Sequence, residues 1–422
     1  MSAALYRLYN ALWYPALPFA LIAGGGDRRE RLGQIDARAA ELTGTPRLWF
    51  HAASVGEVEA LAPVARGLIG ELPAAAAVVT TMTEAGRDAA RRRIPEADVH
   101  RLAPFDHPTA VRSFIAATRP ELVAIAETEL WPGYFVEARR ASARIAIVNG
   151  RVSERAFERY LWLRPLIAEA LGETDLVLAQ TAADARRYRA LGAPRRRVIV
   201  TGNTKFDLSR LAPPPPLRHE LARFADAGRM LVAGSTAPGE EAIVLAAWQR
   251  LAPQFSDLRL ALAPRHLDRV AAVEQLIRDK AGAAYLKAST ITDSPNDSAR
   301  IMLLDTMGEL SALYRRATIA FVGGSLAPGR GGQSLAEPAA AAVPVLFGPF
   351  HENQRQMAEA LLRGDGGQIV KDDRELYEAC AALLEDESRR KTAGLGARRA
   401  LELMGGAVAA TIPLLKALLA SR

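Results

Sequence analysis

The chain has 422 residues, of which 50% are apolar and 24% are charged. This length predicts two domains or at most three, and the composition gives no reason to expect global disorder. The single cysteine, Cys380, excludes an intramolecular disulfide framework and any multi-cysteine zinc or iron–sulfur site. A net charge of +7 favours an anionic partner, which could be nucleic acid, anionic lipid or a phosphorylated substrate.

The amino-terminal segment 1–26 is apolar and rich in aromatic side chains, and the basic cluster within 27–31 follows it. A cleaved signal peptide would carry its charge before the apolar run, so secretion is not expected. The apolar run 11–23 is shorter than the roughly 20 residues that span a bilayer core, and Pro15 and Pro18 interrupt it. We expect segment 1–26 to be a membrane anchor that lies in the membrane–water interface or only just spans the bilayer. A helix packed on the protein's own surface is the alternative.

Farther along the chain, short apolar runs that resemble strands alternate with longer helical patterns. The predicted strands are 47–51, 75–80, 122–126, 144–148, 176–179 and 198–201 in the first half, and 230–233, 258–263, 301–304, 319–322 and 343–347 in the second. This alternation predicts parallel βαβ units that bind ligands at the carboxyl ends of the strands.

A run of four prolines, Pro213 to Pro216, cannot continue a helix or a central strand and favours a stiff linker. We therefore predict an amino-terminal α/β domain at 27–211 and a carboxy-terminal α/β domain with terminal helices at 212–422. Two such domains form a cleft, which is the usual place for a ligand.

Acidic and basic residues follow three predicted strand ends of the first domain. Glu57 stands at the start of a helix and could accept a proton or simply stabilise that helix, while His51 is more typical of a structural histidine. Glu127 and Glu129 could bind a metal, share a proton or accept hydrogen bonds, although Glu129 could also merely cap the next helix. Lys205 suits a phosphate or a carboxylate, although a lone lysine in a loop is usually only solvated.

Loops of the second domain also follow predicted strands. They are 234–236, 264–266, 305–310 and the glycine-rich loop 323–332. Arg265 could bind a phosphate, and Glu337 could accept both hydroxyls of a ribose. Backbone amides and dense glycine favour close approach to a ligand, so the four loops together predict a nucleotide or nucleotide-sugar site. The chain has no Walker motif, no Gly-x-Gly-x-x-Gly at a helix start and no Asp-x-Asp metal motif.

A set of motifs identifies a family resemblance from the amino terminus to about residue 352. They are Ser54–Glu57, Thr80–Thr83, Glu127–Pro132, Lys205–Asp207, Pro264–His266, Asp305–Leu310 and Phe321–Ser325. With them the chain resembles the 3-deoxy-D-manno-octulosonic acid (Kdo) transferases of lipopolysaccharide synthesis. The resemblance implies the GT-B glycosyltransferase fold, with two Rossmann-like α/β domains facing a cleft. It also implies transfer of Kdo from CMP-Kdo to a tetra-acylated lipid A precursor (lipid IVA) at the cytoplasmic face of the inner membrane.

The resemblance further implies residue roles and an inverting displacement that needs no metal and no cofactor beside the donor substrate CMP-Kdo. Glu57 corresponds to the general base, and Glu127 and Lys205 correspond to groups that stabilise the transition state. The implied CMP site comprises Pro264, Arg265, Met307, Gly308, Glu309, Ser334, Leu335, Ala336 and Glu337.

The chain departs from the family pattern in two places, the stretch 334–336 and position 150. Relatives usually have Asn-Pro-Leu-Glu where this chain has Ser334–Glu337, so a hydroxyl replaces an amide and the proline is absent. The change could remove a nucleotide hydrogen bond, typically about 1 kcal/mol net, and so weaken donor binding. Gly150 stands where many relatives have alanine, and the sequence alone offers no interpretation.

Two alternatives to this function remain open at the level of sequence. The first is another GT-B nucleotide-sugar transferase or an epimerase that uses a uridine nucleotide. The second is a non-catalytic protein of the same fold that binds anionic lipid or nucleic acid, which the net charge of +7 allows. The presence of Glu57, Glu127 and Lys205 together argues against the second, so we expect inner-membrane lipids and no nucleic acid as partners.

Overall fold

Parallel strands that alternate with helices build both halves of the chain. The computed structural model describes residues 3–23, 26–34, 42–207, 215–281, 284–291 and 299–421. The chain divides into a first unit, Met1–Leu208 with Gly405–Arg422, and a second unit, Ser209–Met404. The predicted domain boundary between residues 211 and 212, together with Pro213 and Pro214 of the predicted linker, lies outside the described residues.

The first unit contains a seven-stranded parallel sheet in the order β3-β2-β1-β4-β5-β6-β7. Its strands are β1 (Arg47–Ala52), β2 (Ala76–Thr81), β3 (Val99–Leu102), β4 (Leu122–Ala126), β5 (Arg144–Gly150), β6 (Leu176–Ala179) and β7 (Val198–Val200). Its helices are α1 (Ala3–Ala23), α2 (Arg28–Arg31), α3 (Val55–Glu71), α4 (Glu84–Arg93), α5 (Pro108–Thr118), α6 (Pro132–Arg140), α7 (Glu154–Trp162), α8 (Arg164–Gly172), α9 (Ala182–Leu191) and the last helix of the chain. Central strands such as β4 are buried throughout, as their nearly continuous apolar sequences predict.

The second unit contains another seven-stranded parallel sheet, in the order β10-β11-β9-β8-β12-β13-β14. Its strands are β8 (Met230–Thr236), β9 (Arg259–Pro264), β10 (Tyr285–Lys287), β11 (Ile301–Leu303), β12 (Ile319–Val322), β13 (Val345–Phe347) and β14 (Gly367–Ile369). The helices of the second unit are α10 (His219–Asp226), α11 (Glu240–Leu251), α12 (Val270–Ala281), α13 (Leu310–Tyr314), α14 (Ala336–Ala340), α15 (Arg355–Arg363), α16 (Asp373–Glu385) and α17 (Glu387–Met404). The last helix of the chain, α18 (Ala407–Ala420), belongs to the first unit.

The last helix, α18, packs on the first unit, whereas the sequence predicted that 212–422 would form one domain. Ile412 and Leu415 are buried in the apolar core of the first unit, and Gly67 of α3 leaves room for the Ile412 side chain. The Asp207 carboxylate accepts hydrogen bonds from the backbone N–H groups of Gly406 and Val408, at 2.6 and 2.8 Å. These contacts hold the start of α18 against the first unit.

Helix α1 has two different faces. On one face, the Tyr6 hydroxyl donates to Glu137, the Tyr9 hydroxyl donates to Asp106, and Trp13 stacks on the ring of Phe105. A second face exposes apolar side chains of Leu8, Leu12, Phe19 and Ile22. The packed helix that we gave as the alternative to a membrane anchor is therefore present, together with an unpacked apolar stripe.

Only one stretch of the described residues is long and apolar enough to cross a membrane by length and mean hydropathy, and it is Glu387–Ala420. This stretch comprises α17 and α18, which Gly405 and Gly406 separate. Buried side chains of α18 belong to the core of the first unit. Length and hydropathy therefore do not identify α1 as a membrane span.

The strand orders place the functional loops at one edge of each sheet. All strands of a parallel sheet end at the same edge, and ligands bind where the strand order reverses. In the first unit the order reverses between β1 and β4, which precede Glu57 and Glu127. In the second unit it reverses between β8 and β12. Residues 234–236, which the sequence predicted as a loop, are the last three residues of β8, and loop 323–332 follows β12.

Candidate functional site

Glu57 lies in the first turn of α3, directly after β1. Its Oε2 atom accepts hydrogen bonds from the backbone N–H groups of Ala53 and Ser54, the second at 3.3 Å. The carboxylate therefore stabilises its own helix start, as one interpretation of the sequence predicted. Burial raises the pKa of Glu57 to about 7, and the nearby charges of Glu129 and Glu127 add to the increase. A carboxyl group with this pKa can accept a proton at neutral pH.

Glu127 and Lys205 form an ion pair in the same unit. The Lys205 ammonium lies 2.8 Å from Oε1 of Glu127, whose residue is only 8% exposed. Glu127 has a backbone φ of +48°, a conformation that non-glycine residues adopt at a cost and that is common at functional sites. Lys205 is therefore bound to a specific partner, and the interpretation of a merely solvated lysine does not hold.

Asn149 is a residue of this site that the sequence analysis did not select. Its side-chain N–H donates to Oε1 of Glu127 at 3.3 Å, and its Oδ1 atom accepts from the backbone N–H of Thr204 at 3.0 Å. Asn149 has a φ of +55°, which asparagine tolerates better than most residues. It thus connects the loop that carries Glu127 to the segment that carries Lys205.

Gly150 has a structural explanation. A Cβ atom at this position would lie 3.0 Å from the ring of Tyr188, whose hydroxyl donates to the backbone carbonyl of Glu127. An alanine would therefore require a small shift of Tyr188. The glycine leaves Tyr188 free to support the loop at its present position.

Glu129 lies near Glu57 and Glu127, and we call these three residues the acidic cluster. Glu129 does not cap the following helix. Its Oε2 atom accepts a hydrogen bond from the Trp131 indole at 2.6 Å, while burial and the charge of Glu127 raise its pKa. The first-turn N–H groups of α6 donate to Asp106 instead. The capping alternative for Glu129 was wrong because the capping carboxylate comes from a distant part of the sequence.

His51 is a structural residue, as the sequence favoured. It is fully buried in β1, and its Nδ1 atom lies 2.9 Å from the Thr80 hydroxyl. Burial lowers the pKa of His51 to about 3, so the imidazole is neutral at physiological pH.

Arg265 contacts another residue of the candidate nucleotide site in the second unit. It follows Pro264 at the end of β9, and its Nε atom donates to the Gln333 side chain at 3.2 Å. Burial raises the pKa of Glu337, and the positive charge of Arg265 partly opposes that increase. Arg265, Gln333 and Glu337 therefore form one polar group.

Glu240 is a second residue that the sequence analysis missed. Its buried carboxylate accepts four backbone N–H groups, from Ala237 and Gly324 at 2.7 Å and from Ser325 and Leu326 at 2.9 Å. The glycines of this loop have positive φ, including Gly324 at +68°. One charged side chain from α11 thus fixes the conformation of the glycine-rich loop.

The remaining predicted nucleotide-site residues differ in their surroundings. The Glu309 carboxylate forms an ion pair with Arg218, so it is already bound to a cation. Met307 is 69% exposed, and Gly308 beside it has a φ of +90°. In the stretch 334–337, Ser334 is exposed, whereas Leu335 and Ala336 are buried. The amide of Gln333, one residue before Ser334, is the group that contacts Arg265.

Solved structures of other proteins share this fold. A UDP-GlcNAc 2-epimerase from Neisseria meningitidis, bound to UDP-GlcNAc, has a TM-score of 0.59 and 14% identity over 89% of this chain and 100% of its own. A glycosyltransferase from Rickettsia africae has a TM-score of 0.59 and 10% identity over 89% of this chain and 99% of its own. At these identities the likeness concerns the fold alone, which is the GT-B fold of glycosyltransferases and related epimerases.

Sequence comparison identifies the family. Residues 27–208 match the family model described as 3-deoxy-D-manno-octulosonic-acid transferase (kdotransferase). The Haemophilus influenzae 3-deoxy-D-manno-octulosonic acid transferase is 32% identical over 378 residues, which cover 87% of this chain and 86% of that protein. The Bordetella pertussis transferase of the same name is 32% identical over 400 residues, which cover 92% of this chain and 90% of that protein. The chain belongs to the Kdo transferase family and is a glycosyltransferase.

Replacing Glu240 by alanine should destabilise the second unit. The substitution leaves four backbone N–H groups near Gly324 without their acceptor, and we expect a loss of about 3 kcal/mol or more. Chemical denaturation measures this change, with Glu359→Ala on an exposed helix surface as the control. Equal stability of the two variants would show that the loop holds its conformation without Glu240.

Proposed function

We propose that this protein transfers Kdo from CMP-Kdo to the tetra-acylated lipid A precursor lipid IVA in lipopolysaccharide biosynthesis. Membership of the Kdo transferase family supports the donor sugar. The observation that carries the chemistry is the Glu57 carboxyl group, whose pKa is raised to about 7 beside the Glu127–Lys205 ion pair. Such a group is suited to accept a proton from a sugar hydroxyl at neutral pH.

In the proposed step, Glu57 takes the proton of the acceptor hydroxyl, and the oxygen of that hydroxyl attacks the anomeric carbon of Kdo. The bond from that carbon to the CMP phosphate breaks, and the phosphate leaves with the bonding electron pair. Attack from the side opposite the leaving group inverts the configuration, so one base suffices. Glu127 and Lys205 offer a negative and a positive group to the charges that develop in the transition state.

The donor nucleotide would occupy the second unit. Arg265 is suited to bind the phosphate, and Glu337 is suited to accept hydrogen bonds from the ribose hydroxyls. We propose that the reaction needs no metal. The Glu127 oxygen that would otherwise be a metal ligand is already bonded to the Lys205 ammonium.

Mass spectrometry of lipid IVA after incubation with the purified protein and freshly generated CMP-Kdo tests the proposed reaction. We expect a mass gain of one or more Kdo units, and the spectrum also counts the units. Glu57→Gln keeps the shape of the side chain but removes the base, and should lower the rate by about 10²-fold or more. CMP binding to the second unit should be unchanged in this variant.

Other outcomes of that experiment would reject parts of the proposal. Full activity of Glu57→Gln would exclude Glu57 as the base. No transfer despite CMP binding would reject lipid IVA or Kdo as the substrate. Binding of UDP in preference to CMP would instead favour a uridine-nucleotide transferase or epimerase.

The pH dependence of kcat/KM should report the Glu57 carboxyl group. Because the base must be ionised, kcat/KM should rise with pH through a midpoint at about 7 and level off at higher pH. Glu129→Gln removes a negative charge near Glu57, which lowers its pKa, so the midpoint should move to lower pH. Burial also raises the pKa of Asp106 to about 7, and there the neighbouring charge that adds most to the increase is that of Glu137. An unchanged midpoint in Glu129→Gln would therefore exclude Glu57 as the titrating group.

We also propose that the first unit binds the cytoplasmic face of the inner membrane. The exposed stripe of α1 is apolar, with Phe19 74% and Ile22 76% exposed. At the junction of α7 and α8, Trp162 is 89% exposed between two half-exposed leucines, and Arg159 and Arg164 lie beside it on the surface. Exposed aromatic and apolar groups next to arginine are suited to an anionic lipid interface.

The double substitution Phe19→Ser and Ile22→Ser should weaken binding to vesicles that contain anionic phospholipid. It removes two large apolar side chains from the exposed stripe, and we expect a loss of about tenfold or more in the partition constant. Cosedimentation with the vesicles measures this, and Leu403→Ser on α17 is the control because Leu403 is also exposed, at 79%. Equal losses in both variants would refute a specific role of α1.

A further inference from the structure

Asp106 connects two helices that are far apart in the sequence. It follows β3 and is 3% exposed. Its Oδ2 atom accepts hydrogen bonds from the Tyr9 hydroxyl at 2.7 Å and from the backbone N–H of Gly133 at 2.9 Å. Its Oδ1 atom accepts from the backbone N–H of Tyr134 at 3.0 Å. One carboxylate thus joins α1 to the first turn of α6.

The first turn of α6 follows the loop 127–131, which carries Glu127 and Glu129 and which we call the acidic loop. Glu127, Glu129 and Trp131 lie between β4 and α6, whose first residue is Pro132. The loop starts at the sheet, where the Glu127 N–H donates to the Val148 carbonyl at 2.9 Å. Asp106 therefore acts on the other end of the same loop.

The packing at this end is tight. A Cβ atom at Gly133 would lie 2.4 Å from Oδ1 of Asp106, so the carboxylate lies directly against the helix backbone. A second hydroxyl of α1, that of Tyr6, donates to Oε1 of Glu137 one turn farther along α6, at 3.0 Å. Glu137 is itself 4% exposed and also bound by Arg112 at 3.0 Å. Helix α1 thus holds α6 at two successive points.

We propose that α1 positions the acidic loop, with Tyr9 and Asp106 as positioning residues for Glu127 and Glu129. Glu127 has a left-handed backbone, and such a conformation persists where its surroundings determine it at both ends. The Tyr9 hydroxyl orients the Asp106 carboxylate, which orients α6 and fixes the end of the loop. This role is separate from the exposed stripe of α1, and its effect on catalysis rests on the proposed function.

The test compares Tyr9→Phe with Tyr14→Phe in the full chain. Both remove one phenolic hydroxyl from α1, but among the described residues no hydrogen bond of the Tyr14 hydroxyl is found, and Tyr14 is 62% exposed. Hydrogen exchange of residues 127–135, read by mass spectrometry, is the first measurement. We expect the amides of Gly133 and Tyr134 to exchange about tenfold faster in Tyr9→Phe only, because the Asp106 carboxyl group that accepts from them loses the Tyr9 hydroxyl that orients it.

The second measurement is transfer to detergent-dispersed acceptor, which removes the need for membrane binding. We expect kcat to fall by about tenfold in Tyr9→Phe, with the KM for the donor unchanged, because the catalytic groups are displaced. Vesicle binding should equal that of the unaltered protein. A merely structural role would change thermal stability without this separation of kcat from KM.

The outcomes separate this inference from the proposed function. Unchanged exchange in Tyr9→Phe would overturn the inference, whatever the activity. Faster exchange with unchanged kcat would overturn the positioning role. If the unaltered protein transferred no Kdo, the proposed function would fail, while the exchange of Gly133 and Tyr134 would still decide whether α1 holds the loop.

Discussion

The fold depends on buried carboxylates that accept hydrogen bonds from backbone N–H groups. The first turn of a helix leaves backbone N–H groups without partners inside the helix. In a doubly wound sheet, a helix starts after nearly every strand. Glu57 accepts from N–H groups at the start of α3, and Asp106 accepts from those at the start of α6. Asp207 accepts from N–H groups at the start of α18, and Glu240 accepts from those of the glycine-rich loop. Because three of these four acids come from a different segment than the one they bind, each also fixes a tertiary contact. These hydrogen bonds hold the glycine-rich loop and the first turns of α3 and α6 in their present conformations.

The same burial gives the acidic cluster its chemistry. Glu57 and Glu129 lie near each other and near Glu127, and burial disfavours the ionised forms of Glu57 and Glu129. Glu127 gains the Lys205 ammonium as a partner, whereas Glu57 has only two backbone N–H groups and keeps a pKa of about 7. Glu57 and Glu127 both follow buried strands, but their hydrogen-bond partners differ. The reaction that we propose needs one base and one charge-stabilising pair, and this arrangement is suited to both.

Sequence patterns predicted the central strands and the positions of Glu57, Glu127 and Lys205 at strand ends. They missed β3, β10 and β14, each of which is a short strand at the edge of its sheet and only partly buried. An edge strand needs no continuous apolar run, so periodicity does not reveal it. Asn149 and Asp106 were missed because their partners lie 22 or more residues away. Glu240 was missed because three of its four donors lie at least 84 residues away, and local spacing carries no information on such pairs. The return of α18 to the first unit depends on the same kind of distant contact.

In helix α1 one face confirms the packed-helix interpretation, whereas the membrane-anchor interpretation stays a proposal that concerns the other face. A helical period of 3.6 residues places Tyr6, Tyr9 and Trp13 on one face and Leu8, Leu12, Phe19 and Ile22 on another. The first face packs on the protein through hydroxyl groups and a ring, and the second is exposed. Considering the segment only as an apolar run conceals this division, because mean hydropathy averages over both faces. A helix that contacts a bilayer on one side and α6 on the other would bring membrane attachment and loop geometry into a single element.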